Sequence, residues 1–314
     1  MSGVPAKLQK SMKPDKDIEI TKLYKGKVVV KFYPISHQYW VSIDEENFKR
    51  KTGVTSYIGI KDKSRPLESW QQQVTADYLL DLVARKKKID VDHILEAVVQ
   101  CEVLRGESAD IGKEIHGWVE KYVRNKLKQP GYETLPDMPK FPEAITGVNS
   151  FFEWEKKHKV KFVSTEKPVY SMEHDYIGTE DMTFVADELF CDADIKSSNG
   201  LYNAVRLQTA AYTKARTEEG GRKSQGRWAI RFSKYTEEEY LRREARKQEI
   251  KRAIARIKGK EQKEYAIQPY QVFEAKFLDD EKGHLDRDFN AFLSFKAGYE
   301  WNRETDPFYN GANW

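Results

Sequence analysis

The chain has 314 residues, with 54 Lys and Arg against 50 Asp and Glu, which gives a formal net charge of +4 at pH 7. Charged residues make up 33% of the sequence and the mean hydropathy is −0.76, a composition that indicates a soluble globular protein and excludes membrane-spanning, collagen-like and low-complexity classes. The sequence has no GxxxxGK[ST] loop, GxGxxG turn, GxSxG elbow or HExxH helix, which argues against nucleotide hydrolysis, dinucleotide binding and serine-hydrolase chemistry.

The two cysteines, Cys101 and Cys191, are too few for a four-thiolate zinc or iron–sulfur site and give no basis for a disulfide framework. This cysteine usage favours a reducing compartment. Residues 1–16 lack the apolar run of a signal peptide and are predicted to be a flexible N-terminus. We therefore expect a cytoplasmic protein.

An antiparallel β extension is predicted over residues 17–65. Apolar and polar residues alternate there, with many β-branched and aromatic residues, in the runs 28–34, 38–44 and 53–60. Helical periodicity follows from about residue 66 to 127 and includes a helix expected to begin near Ser108. Further helices are predicted near 142–158, 203–219 and 285–303.

The centre of the chain is rich in strand patterns. Strands are predicted at 159–172, within 176–196 as a hairpin turning at Asp187 and Glu188, at 228–233 and near 265–277. Residues 235–264 carry ten Lys or Arg and seven Asp or Glu and are predicted to form a charged helical insertion. The order of elements predicts an α/β fold, with a mixed central β-sheet flanked by helices in one domain over 66–314.

The acidic hairpin is the most informative stretch. Because side chains alternate along a strand, Asp192, Asp194 and Lys196 share one face, and hairpin pairing brings Asp181 beside Asp194. Burying carboxylates is costly unless they are paired or bind a cation, so this face is either exposed to solvent or built for a metal. Hard oxygen ligands of this kind suit Mg²⁺ or Mn²⁺.

Two helical patterns accompany the hairpin. Gln208 and Tyr212 stand four residues apart, which puts them on one helix face. Gly112, His116 and Glu120 also recur every four residues; the glycine permits a close backbone approach and His116 offers an imidazole ligand. Taken singly, each pattern also fits ordinary packing or a solvated surface.

Taken together and in this order, the motifs resemble those of the PD-(D/E)XK nuclease superfamily, in its RecB-like and phage-type exonuclease branch. They read Gly112-Lys-Glu-Ile-His116, Glu166 in STEKPVYS, Gly178-Thr-Glu-Asp181, Asp194-Ile-Lys196 and Gln208-Thr-Ala-Ala-Tyr212. The resemblance covers roughly residues 108–216 and implies a restriction-endonuclease-like core.

The resemblance also implies a metal site. Asp181 and Asp194 would be the metal carboxylates, and His116 and the backbone carbonyl of Ile195 would complete the protein ligands. Glu166 would support the site or reach a second metal. The implied cofactor is Mg²⁺, with Mn²⁺ as a substitute, and we expect neither an iron–sulfur cluster nor a bound nucleotide.

The remaining motif residues have implied catalytic roles. Lys196 would orient or help deprotonate the attacking water, and Gln208 and Tyr212 would position Lys196 and the nucleic-acid strand. Asp192 lies two residues before Asp194, so either aspartate is open as the ligand on this strand.

The function implied is that of a Mg²⁺-dependent DNA exonuclease acting on single- or double-stranded ends in phage or mobile-element recombination, replication or repair. Its expected location is the bacterial host cytoplasm if a phage encodes it. Its expected partner is DNA. A single-strand annealing or binding protein as a second partner and assembly into a homo-oligomer both stay open, and no association with a membrane is expected. Two alternatives stay open: a structure-specific or site-specific endonuclease, and a non-catalytic nucleic-acid-binding module on the same fold. Basic segments at 85–88, 121–128 and 242–263 are the candidates for phosphate contacts.

Overall fold

A computed structural model describes residues 18–61, 64–198, 200–260 and 266–305. The predicted flexible N-terminus, residues 1–16, lies outside them. In the described residues the chain is mixed α/β, with one antiparallel and one mixed sheet. None of the helices in these ranges combines the length and the apolarity needed to cross a membrane.

The N-terminal sheet has four antiparallel strands in sequence order, as the alternation predicts. They are β1 (Glu19–Leu23), β2 (Val28–Tyr33), β3 (Gln38–Ser42) and β4 (Lys49–Lys51). Its buried valines and Tyr39 pack against Tyr170 and Ile177 of the central sheet. The small sheet therefore packs on the larger one through apolar contacts.

The prediction of a strand over 53–60 is wrong, because the chain forms the short helix α1 (Val54–Ile58) there. Val54, Tyr57 and Ile58 follow helical i, i+3, i+4 spacing and are buried against Leu285 and other residues of the C-terminal helix. Tertiary packing of this apolar face outweighs the β propensity of its residues.

Two long helices follow, α2 (Ser64–Ala84) and α3 (Val91–Lys126). The start predicted near Ser108 is wrong, since α3 begins at Val91, where the Asp90 side chain caps it by accepting a hydrogen bond from His93 N at 3.1 Å. The first half of α3 packs on α2 rather than on the sheet. Its exposed apolar residues, Leu95, Val98, Val99 and Val103, obscure the single apolar stripe that marks the second half.

The central sheet has five strands in sequence order. They are β5 (Lys161–Ser171), β6 (Tyr176–Ala186), β7 (Leu189–Lys196), β8 (Gly226–Phe232) and β9 (Phe273–Asp279), the last beginning later than the sequence predicts. Strands β5, β6 and β7 are antiparallel, β7 and β8 are parallel, and β8 and β9 are antiparallel. The predicted hairpin is confirmed: Asp187 and Glu188 form its turn with φ of 50° and 67°, the left-handed values of a type I′ turn.

Helices cover both faces of this sheet. Helix α3 and α4 (Pro142–Lys157) pack on one face around Ile115, Phe151 and Trp154. On the other face lie α5 (Ala204–Glu218), which connects the parallel strands, and α7 (His284–Thr305). This arrangement confirms the α/β class.

The charged insertion forms helix α6 (Glu237–Ile257), which begins with a capping box made by Thr236 and Glu239. Ile250 is its buried residue, and the helix contacts α2 through an ion pair of 2.7 Å between Arg246 Nε and Asp77. Residues 261–264 of the predicted insertion lie outside the described ranges.

Candidate active site

The two motif aspartates meet where β6 pairs with β7. Met182 stands opposite Ala193, and the next position of this register brings Asp181 beside Asp194. Ile195 N donates a hydrogen bond of 2.7 Å to Asp181 Oδ2. The expected neighbourhood of the two carboxylates is therefore present.

The predicted division of β7 into two faces is also present. Cys191, Ala193 and Ile195 lie in the apolar core under α3 and α4. Asp192 and Asp194 belong to the face that α5 covers, and both are at most 1% exposed. The acidic face is buried, so the alternative of a solvated strand face does not hold.

Asp192 is fully partnered by protein groups. Its carboxylate accepts hydrogen bonds from Thr213 and Arg216, both on α5, and from Ser224 Oγ at 2.6 Å. Arg216 also pairs with Glu180 at 3.2 Å. Asp192 therefore holds α5 against β7, and protein donors occupy both of its carboxylate oxygens, which leaves Asp194 as the more available aspartate of this strand.

Asp194 has the opposite character. Its side chain is 1% exposed, and neither carboxylate oxygen accepts a hydrogen bond of good geometry among the described groups. Oδ2 forms an ion pair of 2.6 Å with Lys196 Nζ, while Oδ1 has no partner. A buried carboxylate oxygen without a protein partner is rare in native proteins, and binding a cation compensates the cost of burying it.

Lys196 is held from the α5 side. Its Nζ donates to Gln208 Oε1 at 3.3 Å, and Gln208 Nε2 donates to the Tyr212 hydroxyl at 3.1 Å. The Tyr212 ring lies directly over Gly178, where any Cβ would overlap it. The Gly178 motif and the Tyr212 motif thus depend on each other through shape, since only glycine leaves room for the tyrosine.

Helix α3 brings His116 to the same place. A Cβ on Gly112 would lie 2.6 Å from Ser197 Oγ, so the glycine permits the close approach of α3 to the end of β7. One helical turn later, His116 Nδ1 is 3.9 Å from Asp181 Oδ2. The spacing of Gly112 and His116 therefore has the structural basis that the sequence suggested.

Glu166 joins this group. It lies within β5 with φ of 45°, a left-handed conformation that costs a non-glycine residue about 1–2 kcal/mol. Ligand atoms of His116, Glu166 and Asp181 all lie within 4.8 Å of one another, close enough for one cation to contact all three. Asp194 is not in that set, and its Oδ2 pairs with Lys196.

The carboxyl groups of the site have raised pKa values, because burial disfavours their ionised forms. Burial, followed by the charge of Asp181, raises the pKa of Glu166 to about 9. Burial also raises the pKa of Asp194 to about 6, against the opposing effect of Lys196, and raises the pKa of Asp181. Three neighbouring carboxyl groups that resist ionisation would ionise more readily around a cation, so the cluster is suited to a positive ligand.

The pKa values of the two nitrogen groups of the site, His116 and Lys196, shift in opposite directions. Burial and the Lys196 ammonium lower the pKa of His116 to about 4, so its imidazole is neutral at pH 7 and has a free lone pair. Burial acts to lower the pKa of Lys196, but Asp194 and Asp181 more than offset it and the pKa is raised. Lys196 is therefore an ammonium donor in this geometry.

These residues fit a hard divalent cation. The set offers a neutral imidazole nitrogen and carboxylate oxygens, one of them unpartnered, and its excess negative charge would be neutralised by Mg²⁺ or Mn²⁺. The Ile195 N–H is used by Asp181, whereas a ligand role for the Ile195 carbonyl stays a prediction.

The sequence analysis did not predict the ion pair between Arg216 and Asp192, which lies next to the site. Arg216 lies four residues after Tyr212, as Tyr212 lies four after Gln208, and this face of α5 contacts β7 through Gln208 and Arg216 and β6 through Tyr212. That continued spacing is the signal that was available. Arg216 pairs with Asp192, so Asp194 is the aspartate of β7 that is available to the site.

Searches of known family models and of curated proteins find no match for this chain. The resemblance to PD-(D/E)XK nucleases therefore stays a prediction that depends on the motifs.

Proposed function

We propose that this protein is a Mg²⁺-dependent deoxyribonuclease that hydrolyses phosphodiester bonds from DNA ends. The observation that carries the proposal is the buried Asp194, with one unpartnered oxygen and with Lys196 on its other oxygen, next to Asp181 of the neighbouring strand. Each predicted motif also lies on the type of element that the nuclease pattern requires: helix, strand, strand, strand and helix.

The metal would be held by His116, Asp181 and Glu166, and the charge of Asp194 acts on the same group. Bound there, Mg²⁺ would lower the pKa of a coordinated water and neutralise charge that develops on the scissile phosphate. His116 suits this role because it is neutral at pH 7.

Lys196 is the group that would orient the attacking water or a phosphate oxygen. Its ammonium is fixed by Asp194 at 2.6 Å and by Gln208 at 3.3 Å, so it presents its remaining proton in a defined direction. Its raised pKa keeps it charged at neutral pH, which favours orientation and charge stabilisation over proton abstraction.

The exonuclease proposal is preferred to the endonuclease alternative because no sequence-reading module is recognisable in the 314 residues. Phosphate affinity would come from basic side chains, because releasing counterions from DNA drives binding. The charged helix α6 carries several arginines and lysines for this purpose.

The test uses purified protein with 5′-labelled linear DNA and covalently closed circular DNA, single- and double-stranded, in Mg²⁺ or in EDTA. Lys196→Ala is the inactive variant, and Lys27→Ala, an exposed lysine directly before β2, is the matched control. We expect Mg²⁺-dependent loss of linear DNA only, retained in Lys27→Ala and absent in Lys196→Ala.

Other outcomes separate the alternatives. Nicking of circles that needs Lys196 would favour the endonuclease alternative. DNA binding without cleavage of any substrate would contradict the enzymatic proposal and favour the non-catalytic module. Cleavage that persists in Lys196→Ala would show that another site is responsible.

A further inference from the structure

The N-terminal sheet has an outer face, opposite the one that packs on the central sheet. The inner face carries Val28, Val30 and Tyr39, which contact the central sheet. Side chains alternate along a strand, and directly paired residues of neighbouring strands share a face. The strand register therefore aligns four residues of the outer face in one row across β1 to β4, which we call the outer row: Ile20, Lys31, Trp40 and Arg50.

The outer row combines two cations with an aromatic ring. Lys31 and Arg50 lie on the two strands that flank Trp40. Because neighbouring strands are about 4.8 Å apart, the backbones of the two cations stand roughly 10 Å apart with the indole between them. Arg50 is exposed, Lys31 and Trp40 are half-buried, and Ile20 at the end of the row is 62% exposed. The row is therefore open to a ligand from solvent.

The two cations have no carboxylate partner among the residues that the structure describes. No Asp or Glu oxygen there lies within 4.0 Å of the charged groups of Lys31 or Arg50. Lys31 Nζ instead lies 3.6 Å from the centroid of the Phe48 ring, which holds the ammonium on this face and leaves its charge uncompensated. Both charges are thus available to an anion.

The sheet that carries the row is also the basic part of the chain. Residues 18–61 contain eight Lys or Arg and four Asp or Glu, whereas the rest of the chain contains 46 of each. This segment therefore accounts for the whole net charge of +4. A local excess of positive charge of this kind attracts polyanions.

The acidic residues of the sheet lie away from the outer row. Three of them, at 44–46, form the turn before β4, where Asp44 accepts hydrogen bonds of 3.0 and 2.8 Å from the backbone of the same turn. Glu45 is paired with Lys22 at 2.9 Å. The fourth, Glu19, alternates with the row residue of β1 and so lies on the inner side. Repulsion of an anion is thus confined to one end of the face.

A polyanion with unpaired aromatic rings has the chemistry that matches this row. Phosphates bind Lys and Arg because counterions are released, and unpaired bases stack on exposed aromatic side chains. An acidic peptide would use the cations but not the indole. A duplex hides the faces of its bases in the stack. A single strand can use all three groups at once.

We propose that the outer row binds a single-stranded nucleic acid, with one base stacked on Trp40 and phosphates on Lys31 and Arg50. This inference goes beyond the proposed nuclease function, because binding here does not require cleavage. The inner face ties the sheet to the candidate site, since the Tyr39 hydroxyl hydrogen-bonds Thr179 Oγ1 at 2.8 Å, two residues before Asp181. The row would hold a strand on the same folded unit as the site.

The first test measures binding in EDTA, without cleavage. The anisotropy of a fluorescein-labelled single-stranded 20-mer of mixed sequence is recorded over a salt series. We expect Trp40→Ala to bind about tenfold more weakly with an unchanged salt slope, because a stacked base is lost and a phosphate contact is not. Lys31→Gln and Arg50→Gln should each lower the slope by about 0.7. Unchanged affinity in Trp40→Ala, or unchanged slopes in both charge variants, would overturn the proposal.

Further variants separate binding from folding and from diffuse attraction. Trp40→Phe keeps an aromatic face and should retain most of the affinity, whereas a loss equal to that of Trp40→Ala would contradict stacking. Lys27→Gln removes an exposed lysine of the same sheet outside the row, and Trp301→Ala removes a 64% exposed tryptophan from α7. Both should bind like the wild type. A slope that falls as far in Lys27→Gln as in Lys31→Gln would show diffuse attraction and overturn a defined site.

Competitors identify the class of ligand. Unlabelled single strands of DNA or RNA should displace the probe, and a blunt duplex, poly-glutamate or vesicles of anionic phospholipid should do so much less. Displacement by poly-glutamate or vesicles as efficient as by single strands would overturn the assignment to nucleic acid. A Trp40-dependent affinity for the duplex would contradict stacking on an unpaired base.

The outcome is distinguishable from that of the nuclease proposal. Lys196→Ala should bind the 20-mer like the wild type, because the candidate site is not needed for this contact. A wild type that binds through Trp40 but cleaves no DNA would sink only the nuclease proposal. Mg²⁺-dependent cleavage together with normal binding by Trp40→Ala would sink only the present inference.

Discussion

Asp181 Oδ2 accepts a hydrogen bond of 2.7 Å from the backbone N–H of Ile195, across the pair of strands that carries both site aspartates. This bond fixes the orientation of the Asp181 carboxylate and leaves its charge available. Position and charge are therefore separable at this residue by substitution.

Asp181→Asn should keep the fold and lose the activity. The asparagine amide oxygen can accept the same bond from Ile195, whereas the negative charge that a cation requires is gone. We expect cleavage of linear DNA to fall by about 100-fold or more in Mg²⁺. Circular dichroism should show an unchanged melting temperature, and near-normal cleavage by a folded Asp181→Asn protein would refute its place in the site.

The packing of α3 on β7 gives a second prediction. An alanine at Gly112 would place its Cβ 2.6 Å from Ser197 Oγ, so either the serine hydroxyl rotates away or α3, and with it His116, moves away from the strands. Displacements of about 1 Å at a reacting centre cost on the order of 100-fold in rate. Gly112→Ala should therefore reduce cleavage to the extent that α3 moves, while the protein stays folded, and cleavage assays and thermal melting of the variant measure both.

Ser197→Ala provides the control for this effect. The Ser197 Cβ is 3.8 Å from the same position, an ordinary contact, so removing Oγ alone makes room for the added methyl group. The double variant Gly112→Ala, Ser197→Ala should recover most of the activity, and the cycle measures the coupling between the two sites. A double variant no better than Gly112→Ala would show that the glycine acts in another way.

The third prediction separates the two aspartates of β7. Asp192 is held by Arg216, Thr213 and Ser224, so Asp192→Asn should break a buried ion pair and cost about 3 kcal/mol of unfolding free energy. Asp194→Asn should cost less in stability, because burial disfavours its carboxylate and its ion-pair partner Lys196 stays 30% exposed to solvent, yet abolish activity. Urea unfolding and cleavage assays on both variants check this, and equal stability losses would contradict it.

Sequence periodicity predicted much of this architecture because most elements bury one regular face. Alternation and i, i+4 spacing predict the hairpin of β6 and β7 and helix α5. They also predict the elements that carry His116, Asp181, Asp194 and Lys196. The pattern failed at 53–60, where β-branched and aromatic residues pack as a helix on α7. Local propensity cannot report that distant partner.

The details of the site were less predictable for a similar reason. Sequence alternation put Asp192 and Asp194 on one face, but only the tertiary contact with Arg216 shows that one is consumed structurally and the other is free. Glu166 depends on a left-handed backbone conformation within β5, which alternation along a strand does not anticipate. Both distinctions arise from contacts between elements far apart in the chain.

The raised carboxyl pKa values lead to a prediction for metal-free protein. In EDTA, burial holds the pKa of Asp194 at about 6 and that of Glu166 at about 9, both above their values in an unfolded chain. These two carboxyl groups therefore bind more protons in the folded than in the unfolded state between about pH 4 and 9, and their contribution to stability falls as the pH rises through this window, whereas His116, with its pKa lowered to about 4, acts in the opposite direction below about pH 6.5.

Urea unfolding in EDTA at pH 5 and pH 8 measures this effect. The wild type should lose roughly 1 kcal/mol more between these pH values than Asp194→Asn, which cannot ionise there. Asp137→Asn, an exposed aspartate outside the site, should behave like the wild type. Mg²⁺ should reduce the pH dependence of the wild type, because a bound cation replaces the protons that the carboxylates otherwise retain. If the wild type and Asp194→Asn showed the same pH dependence in EDTA, the pKa of Asp194 would not be raised in the folded protein. The argument that this cluster suits a cation would then lose its support.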